Sequence, residues 1–218
     1  MWWLLALLGL GSIGLGFVSM LNGKTVAILG PREAGKSTLV NFLLKGTMSE
    51  KYIATGRPTK FTGKKISLQD VNLKVNDIMD VPGDVASHSD WEQQYNKADI
   101  ACYLFDASRL HKRESLYEEA VIRDMRRIGD WIGARKKANR DVPKFFLVAT
   151  HCDLIPEYEA LPNSNKTQFT DKFWRTPIVQ KLINYGGGSQ NVKRAAGSLK
   201  DMKNTERLVG DVLCQAMQ

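Results

Sequence analysis

An α/β fold, a mostly parallel sheet flanked by helices, is predicted by three observations in this 218-residue sequence. Short apolar runs alternate with segments of helical periodicity. A glycine loop joins the first apolar run to the first helical segment. The remaining motifs all fall just after the carboxyl ends of the runs, where loops of a parallel sheet gather.

The elements follow in order. Val26-Ala27-Ile28-Leu29 reads as a short buried strand, and Thr38 to Lys45 as a helix with an apolar face. Segments 61–69 and 73–80 read as a hairpin, and 99–107 as another apolar strand. Next come a long basic helix over about 114–138, a strand over 144–149 and a helix over 171–185 that stops at Gly186-Gly187-Gly188. A short strand over 191–195 precedes an amphipathic helix over 205–217. That last helix has Leu208, Val209, Val212, Leu213 and Ala216 facing inward. Residues 24–218, about 195 residues, are enough for one α/β domain with a sizeable core.

Residues 30–37, Gly-Pro-Arg-Glu-Ala-Gly-Lys-Ser, complete a GxxxxGKS pattern between that first strand and helix. The arrangement aims backbone N–H groups and a helix N-terminus at one point, where phosphate groups are bound. Gly30 and Gly35 allow the backbone geometry and close approach. Glu33, Ala34 and Thr38 line the same loop and helix start. Lys36 reaches the β- and γ-phosphates, and the Ser37 hydroxyl ligates Mg²⁺. A nucleoside triphosphate is the expected ligand. Asp80-Val81-Pro82-Gly83 closes the second strand of the hairpin. There Asp80 can hold Mg²⁺ through a water, and the Gly83 N–H can meet the γ-phosphate. Read alone, the same stretch is an ordinary turn. Thr150-His151-Cys152-Asp153 follows the apolar run 144–149. A carboxylate at Asp153 can accept from N1–H and N2–H₂ of guanine, donors that adenine lacks. The plain alternative is a polar loop with a helix-capping aspartate.

With these three elements in this order, the chain resembles the Ras-like, translation-factor-related class of P-loop GTPases. Residues 30–37 match that class's first motif and Asp80–Gly83 its Asp-x-x-Gly motif. Thr150–Asp153 is similar to its Asn/Thr-Lys-x-Asp motif, with His151 in place of lysine, a variant seen in chloroplast-import and immunity-associated GTPases. Ala196-Gly197-Ser198-Leu199 resembles the degenerate last motif, so Ser198 and Leu199 are expected beside the guanine. The resemblance implies GTP/GDP and Mg²⁺ as ligands, slow GTP hydrolysis and a switching role.

A threonine between the first helix and the second strand would ligate Mg²⁺ and meet the γ-phosphate. Thr59, which follows a proline as in Arf-like proteins, is favoured over Thr55 and Thr62. Two departures bear on catalysis. Asp84 stands where Ras-like proteins carry the glutamine that orients the attacking water. Arg32 and Glu33 stand where Ras has glycines, and Arg32 is read either as an arginine finger supplied in cis or as a solvent-facing side chain. His88 is a further candidate for positioning water, or a bystander.

Residues 1–21 contain no charged side chain. As a helix they would span about 31 Å, the thickness of a bilayer core. Trp2 and Trp3 suit a headgroup interface, and the cations Lys24, Arg32 and Lys36 favour a cytoplasmic domain after the anchor. A cleaved signal peptide is the rival, but the segment lacks a basic n-region and a clear cleavage site. Gly9, Ser12, Gly16 and Ser19 form a small-residue stripe that suits self-association or a membrane partner. An anchor followed at once by a compact G domain is similar in architecture to the β-subunit of the signal-recognition-particle receptor.

Net charge is +8, with basic residues thickening at Arg123, Arg126, Arg127, Arg135, Lys136, Lys137 and Arg140. This helix is read as a surface for anionic lipid or as a solvated face. No recognition motif supports nucleic-acid binding. Cys102, Cys152 and Cys214 have neither pairing nor metal spacing, consistent with a reducing compartment. The leading expectation is therefore a membrane-anchored GTPase switch with its domain facing the cytoplasm. The rivals are a non-hydrolysing GTP-bound scaffold that recruits a protein partner, and an ATPase in which Asp153 does not read the base.

Overall fold

Side chains that point alternately to the two faces of a single sheet build two cores, one on each face. The computed structural model describes residues 23–45, 59–68, 71–80 and 88–217. In chain order these form β1 (Thr25–Leu29), α1 (Lys36–Lys45), β2 (Thr59–Leu68), β3 (Val71–Asp80), α2 (His88–Lys97) and β4 (Ile100–Asp106). There follow α3 (Ala107–His111), α4 (Ser115–Lys137), β5 (Lys144–Thr150), α5 (Pro156–Glu159), α6 (Lys166–Trp174), α7 (Pro177–Tyr185), β6 (Val192–Ala196) and α8 (Met202–Met217). The segment expected as an anchor, 1–21, with its stripe Gly9, Ser12, Gly16 and Ser19, lies outside the described residues, as do Thr55, Gly83 and Asp84. Among the described residues no helix is long and apolar enough to cross a membrane.

The sheet order is β2-β3-β1-β4-β5-β6. β2 and β3 pair antiparallel and every other neighbour pairs parallel, which agrees with the mostly parallel expectation. The chain leaves β1 toward β3 on one side and returns to β4 on the other. The crevice at the carboxyl end of β1 is therefore the topological switch point, where ligands of open α/β sheets bind. Ala27, Leu29, Ala101, Tyr103 and Phe105 pack with residues of α2, α4 and α7. Val26, Ile28, Cys102, Leu104 and Phe146 pack with residues of α1 and α8 on the opposite face. Every residue of β4 is buried, as its unbroken apolar run requires of a central parallel strand.

The helix expected over 171–185 is two helices. Pro177 lacks an N–H and disfavours helical geometry at the residue before it, so Thr176 turns out to φ −63°, ψ 144° and Pro177 starts α7 at its first turn. Earlier in the chain the α6 helix begins at Lys166. The final helix keeps its inward stripe where described: Leu208 and Val209 are buried and Val212 packs against them.

Candidate functional site

The glycine loop sits in the β1 crevice, and its two glycines hold positive φ, +139° at Gly30 and +85° at Gly35. A Cβ on Gly30 would stand 2.1 Å from the Leu104 carbonyl oxygen on β4. No side chain fits there without moving the sheet itself. Over Gly35 lies Leu199, whose Cδ1 is 2.6 Å from where a Cβ would be. α1 begins at Lys36, so the N-terminal end of the helix faces the loop. The Lys36 ammonium is buried and donates to the Pro31 carbonyl at 2.8 Å, which holds it inside the turn of the loop. Ser37 and Thr38 are partly exposed; Arg32 and Glu33 are exposed. Glu33 adopts φ +64°, a left-handed conformation, at a position where the resemblance to Ras implies glycine.

Strand register brings Asp80 and Thr59 to this crevice. Asp80 on β3 is the register partner of Ile28 on β1 and of Thr59 on β2. Ser37, Thr59 and Asp80, the three residues expected at Mg²⁺, thus belong to adjoining ends of β2, β3 and α1. Oxygen donors of this kind suit magnesium.

Thr150 ends β5, is fully buried, and has three protein partners. Its Oγ1 lies 3.0 Å from the Ala34 carbonyl, 3.0 Å from the Phe105 carbonyl and 3.0 Å from His151 Nδ1. The hydroxyl ties the glycine loop to the ends of β4 and β5, so Thr150 acts as a positioning residue in this arrangement. His151 has φ +57° and half-buries its ring, with Nδ1 also 3.8 Å from the Asp106 carboxylate. Asp106 itself caps α3, accepting from Ser108 N–H at 2.8 Å and Arg109 N–H at 3.2 Å. Asp153 lies in a single 3₁₀ turn, Cys152–Leu154, and stays partly exposed.

The two segments expected at the base interlock through the backbone. Gly197 N–H donates to the Ala149 carbonyl at 2.9 Å, and Cys152 N–H donates to the Gly197 carbonyl at 3.0 Å. Ser198 is buried and its Oγ accepts from Lys200 N–H at 3.1 Å. Gly30 to Thr38, Thr150 to Asp153 and Ser198-Leu199 therefore share one crevice. Burial pushes the Cys152 thiol up to about 12, which keeps it protonated and inert.

His88, read as a water-positioning candidate, is instead built into the core at the start of α2. Its Nε2 lies 3.0 Å from Asp124 Oδ1 on α4, and the Tyr103 hydroxyl donates to Asp124 Oδ2 at 3.0 Å. Burial lowers the His88 pKa and raises that of Asp124. The arrangement we assign is a neutral imidazole donating from Nε2 to a buried carboxylate. Trp91 meets the His88 ring edge-on at 5.0 Å. The sequence offers no periodic signal for this cluster, because its members come from three separate elements. Asp106 is a further residue of the crevice, and its signal in the sequence is an aspartate at a strand end just ahead of a helix, an N-cap pattern.

A family model described as 50S ribosome-binding GTPase matches residues 25–142, from the start of β1 to the turn before β5. No curated protein matches the chain.

Proposed function

The chain belongs to the 50S ribosome-binding GTPase family, and on that premise we propose that it is a membrane-anchored GTP-binding protein that hydrolyses GTP slowly and acts as a switch. It carries a P-loop GTPase domain, and guanine nucleotide with Mg²⁺ is the ligand such a domain takes. The observation that carries the finer reading is the Thr150 hydroxyl bridging Ala34 of the glycine loop to the end of β5. It supports one ligand held at both ends, phosphates at the loop and base at Asp153.

In this reading the loop N–H groups and the α1 N-terminus bind the phosphates. Lys36 turns from Pro31 to the β- and γ-phosphates. Ser37, Thr59 and Asp80 hold Mg²⁺, which supplies charge neutralisation on the transferred phosphoryl group. Asp153 reads guanine, with Ser198 and Leu199 closing the base side. The Gly83 N–H and Thr59 sense the γ-phosphate and carry its presence to the loops around them. Asp84, shorter than glutamine and negatively charged, orients water poorly, and this is the reason for slow turnover. Arg32, exposed on the loop, is the cis candidate for stabilising the transition state.

Residues 1–21 would anchor the domain, which faces the cytoplasm in an architecture similar to the signal-recognition-particle receptor β-subunit. The stripe Gly9, Ser12, Gly16 and Ser19 would take a partner helix or a second copy. Asp84 favours a second reading, a GTP-bound scaffold without turnover.

Single-turnover hydrolysis of labelled GTP by the full chain tests this, beside Lys36→Ala and Asp153→Asn. Slow turnover abolished by Lys36→Ala supports the switch. Tight binding without turnover supports the scaffold. Asp153→Asn should erode preference for GTP over ATP by up to about 150-fold, the upper worth of an acceptor left unpaired once a bound base covers it. An unchanged preference overturns the base assignment.

A further inference from the structure

The edge of the sheet opposite this crevice is stitched by bonds between distant segments. Asp99 N–H donates to the Thr25 carbonyl at 2.9 Å and Lys144 N–H to the Asp99 carbonyl at 2.9 Å. The Asp99 carboxylate accepts from Thr25 N–H at 2.8 Å. Arg135, in the last turn of α4, donates to the carbonyls of Asn96 and Asp141. Arg140 N–H returns to the Arg135 carbonyl at 2.9 Å. The ends of α2 and α4 and the starts of β1, β4 and β5 thus form one rim.

Among the described residues, six exposed basic residues belong to that rim: Lys24, Lys97, Lys136, Lys137, Arg140 and Lys144. Against them stand the exposed Asp99 and Asp141, and Asp99 already holds the Lys24 ammonium at 3.7 Å. The positive charge read from sequence along the whole long helix divides in the structure. Arg126 is engaged with the Tyr185 hydroxyl at 2.9 Å, and only the carboxyl end of α4 joins the rim.

The chain enters the domain at this same rim, directly after the uncharged stretch 1–21. We propose that the rim is a docking surface for the anionic phospholipid headgroups of the bilayer that residues 1–21 enter. The proposal rests on the anchored reading above. From Leu21 to Thr25 the backbone reaches at most about 14 Å, a tether short enough for the rim to approach the bilayer to within a Debye length of about 8–10 Å. The rim lysines are therefore held within range of the surface potential, each contributing about fivefold to the docking equilibrium. Docking in this pose turns the crevice at the opposite edge away from the membrane and leaves it open to nucleotide and partners.

The test is lysine acylation of the full chain on vesicles of phosphatidylcholine, with or without phosphatidylserine, read residue by residue by mass spectrometry, with flotation alongside. Lys97, Lys136, Lys137 and Lys144 should be protected only where phosphatidylserine is present, and high salt should remove the protection. Lys112 and Lys203, near the opposite edge, should react alike on both vesicles. The triple variant Lys136→Gln, Lys137→Gln, Arg140→Gln should lose about 100-fold in docking. Flotation on both vesicles with no difference in acylation overturns the docking surface and leaves the anchor standing. Failure to float on either overturns the anchor and the proposal together. Protection of the same lysines by structured RNA and not by phosphatidylserine overturns the lipid assignment.

Discussion

Replacing Thr150 by valine removes a hydroxyl that has three protein neighbours at 3.0 Å while leaving a side chain of similar size. The residue is fully buried, so no water takes the vacated place. The carbonyls of Ala34 and Phe105 then share no donor at this point, which costs about 1–3 kcal/mol. For a chain of this length each kcal/mol lowers Tm by about 2–4 °C, so thermal unfolding should shift down by about 2–12 °C. Because the Ala34 carbonyl belongs to the glycine loop, GTP and GDP should weaken in parallel. Asp153 is untouched, so the GTP-to-ATP ratio should hold. Thr150→Ser keeps the hydroxyl and should lose much less. Scanning fluorimetry and fluorescent-nucleotide titration read both quantities. An unchanged Tm together with a collapsed GTP-to-ATP ratio would refute the positioning role and make Thr150 a base contact.

Gly30→Ala sets a Cβ against the Leu104 carbonyl and strains φ, so it should destabilise by about 3 kcal/mol or more; Gly133→Ala, with nothing within 4 Å, should stabilise by up to about 1 kcal/mol, and urea midpoints compare the two. Glu33→Gly relieves the left-handed backbone at φ +64° and should raise stability by up to about 1 kcal/mol in the same assay. The folded pKa of His88 is lowered below 6.5 by burial, so the unfolded chain binds the extra proton. Stability should therefore fall as pH drops below 6.5, until the folded imidazole also protonates. The raised Asp124 pKa gives an opposite slope, confined between its folded value and 3.8. His88→Gln should flatten the decline below pH 6.5 in pH-resolved unfolding, and an unaltered slope would reject the neutral-imidazole assignment.

Local pattern made the crevice legible and left its wiring hidden. Strand, glycine loop and helix are contiguous from Val26 to Lys45, so their chemistry reads straight from the chain. Asp153 and Leu199 could be linked to them only by motif order, since the bonds Cys152 to Gly197 and Gly197 to Ala149 are made by backbone atoms that carry no sequence signature. The same holds for Thr150, whose carbonyl partners Ala34 and Phe105 are supplied by topology. The break between α6 and α7 has its signal in Pro177, whose missing N–H overrides the apolar periodicity that reads as one helix over 171–185. The His88, Asp124 and Tyr103 cluster was not, because a histidine after a loop and an aspartate on a charged helix both read as surface residues.

The central place of β1 also governs how the domain is made. It is synthesised before the other strands, yet both its neighbours, β3 and β4, come later, and β4 ends only at Asp106. At about 5–20 residues per second the ribosome needs about 4–15 s to pass from Leu29 to Asp106. Through that interval Val26 to Leu29 lack the β4 side of their pairing, and until Asp80 is made they lack β3 as well. Nascent chains halted before β4 should therefore bind holdase chaperones that chains halted after β4 release.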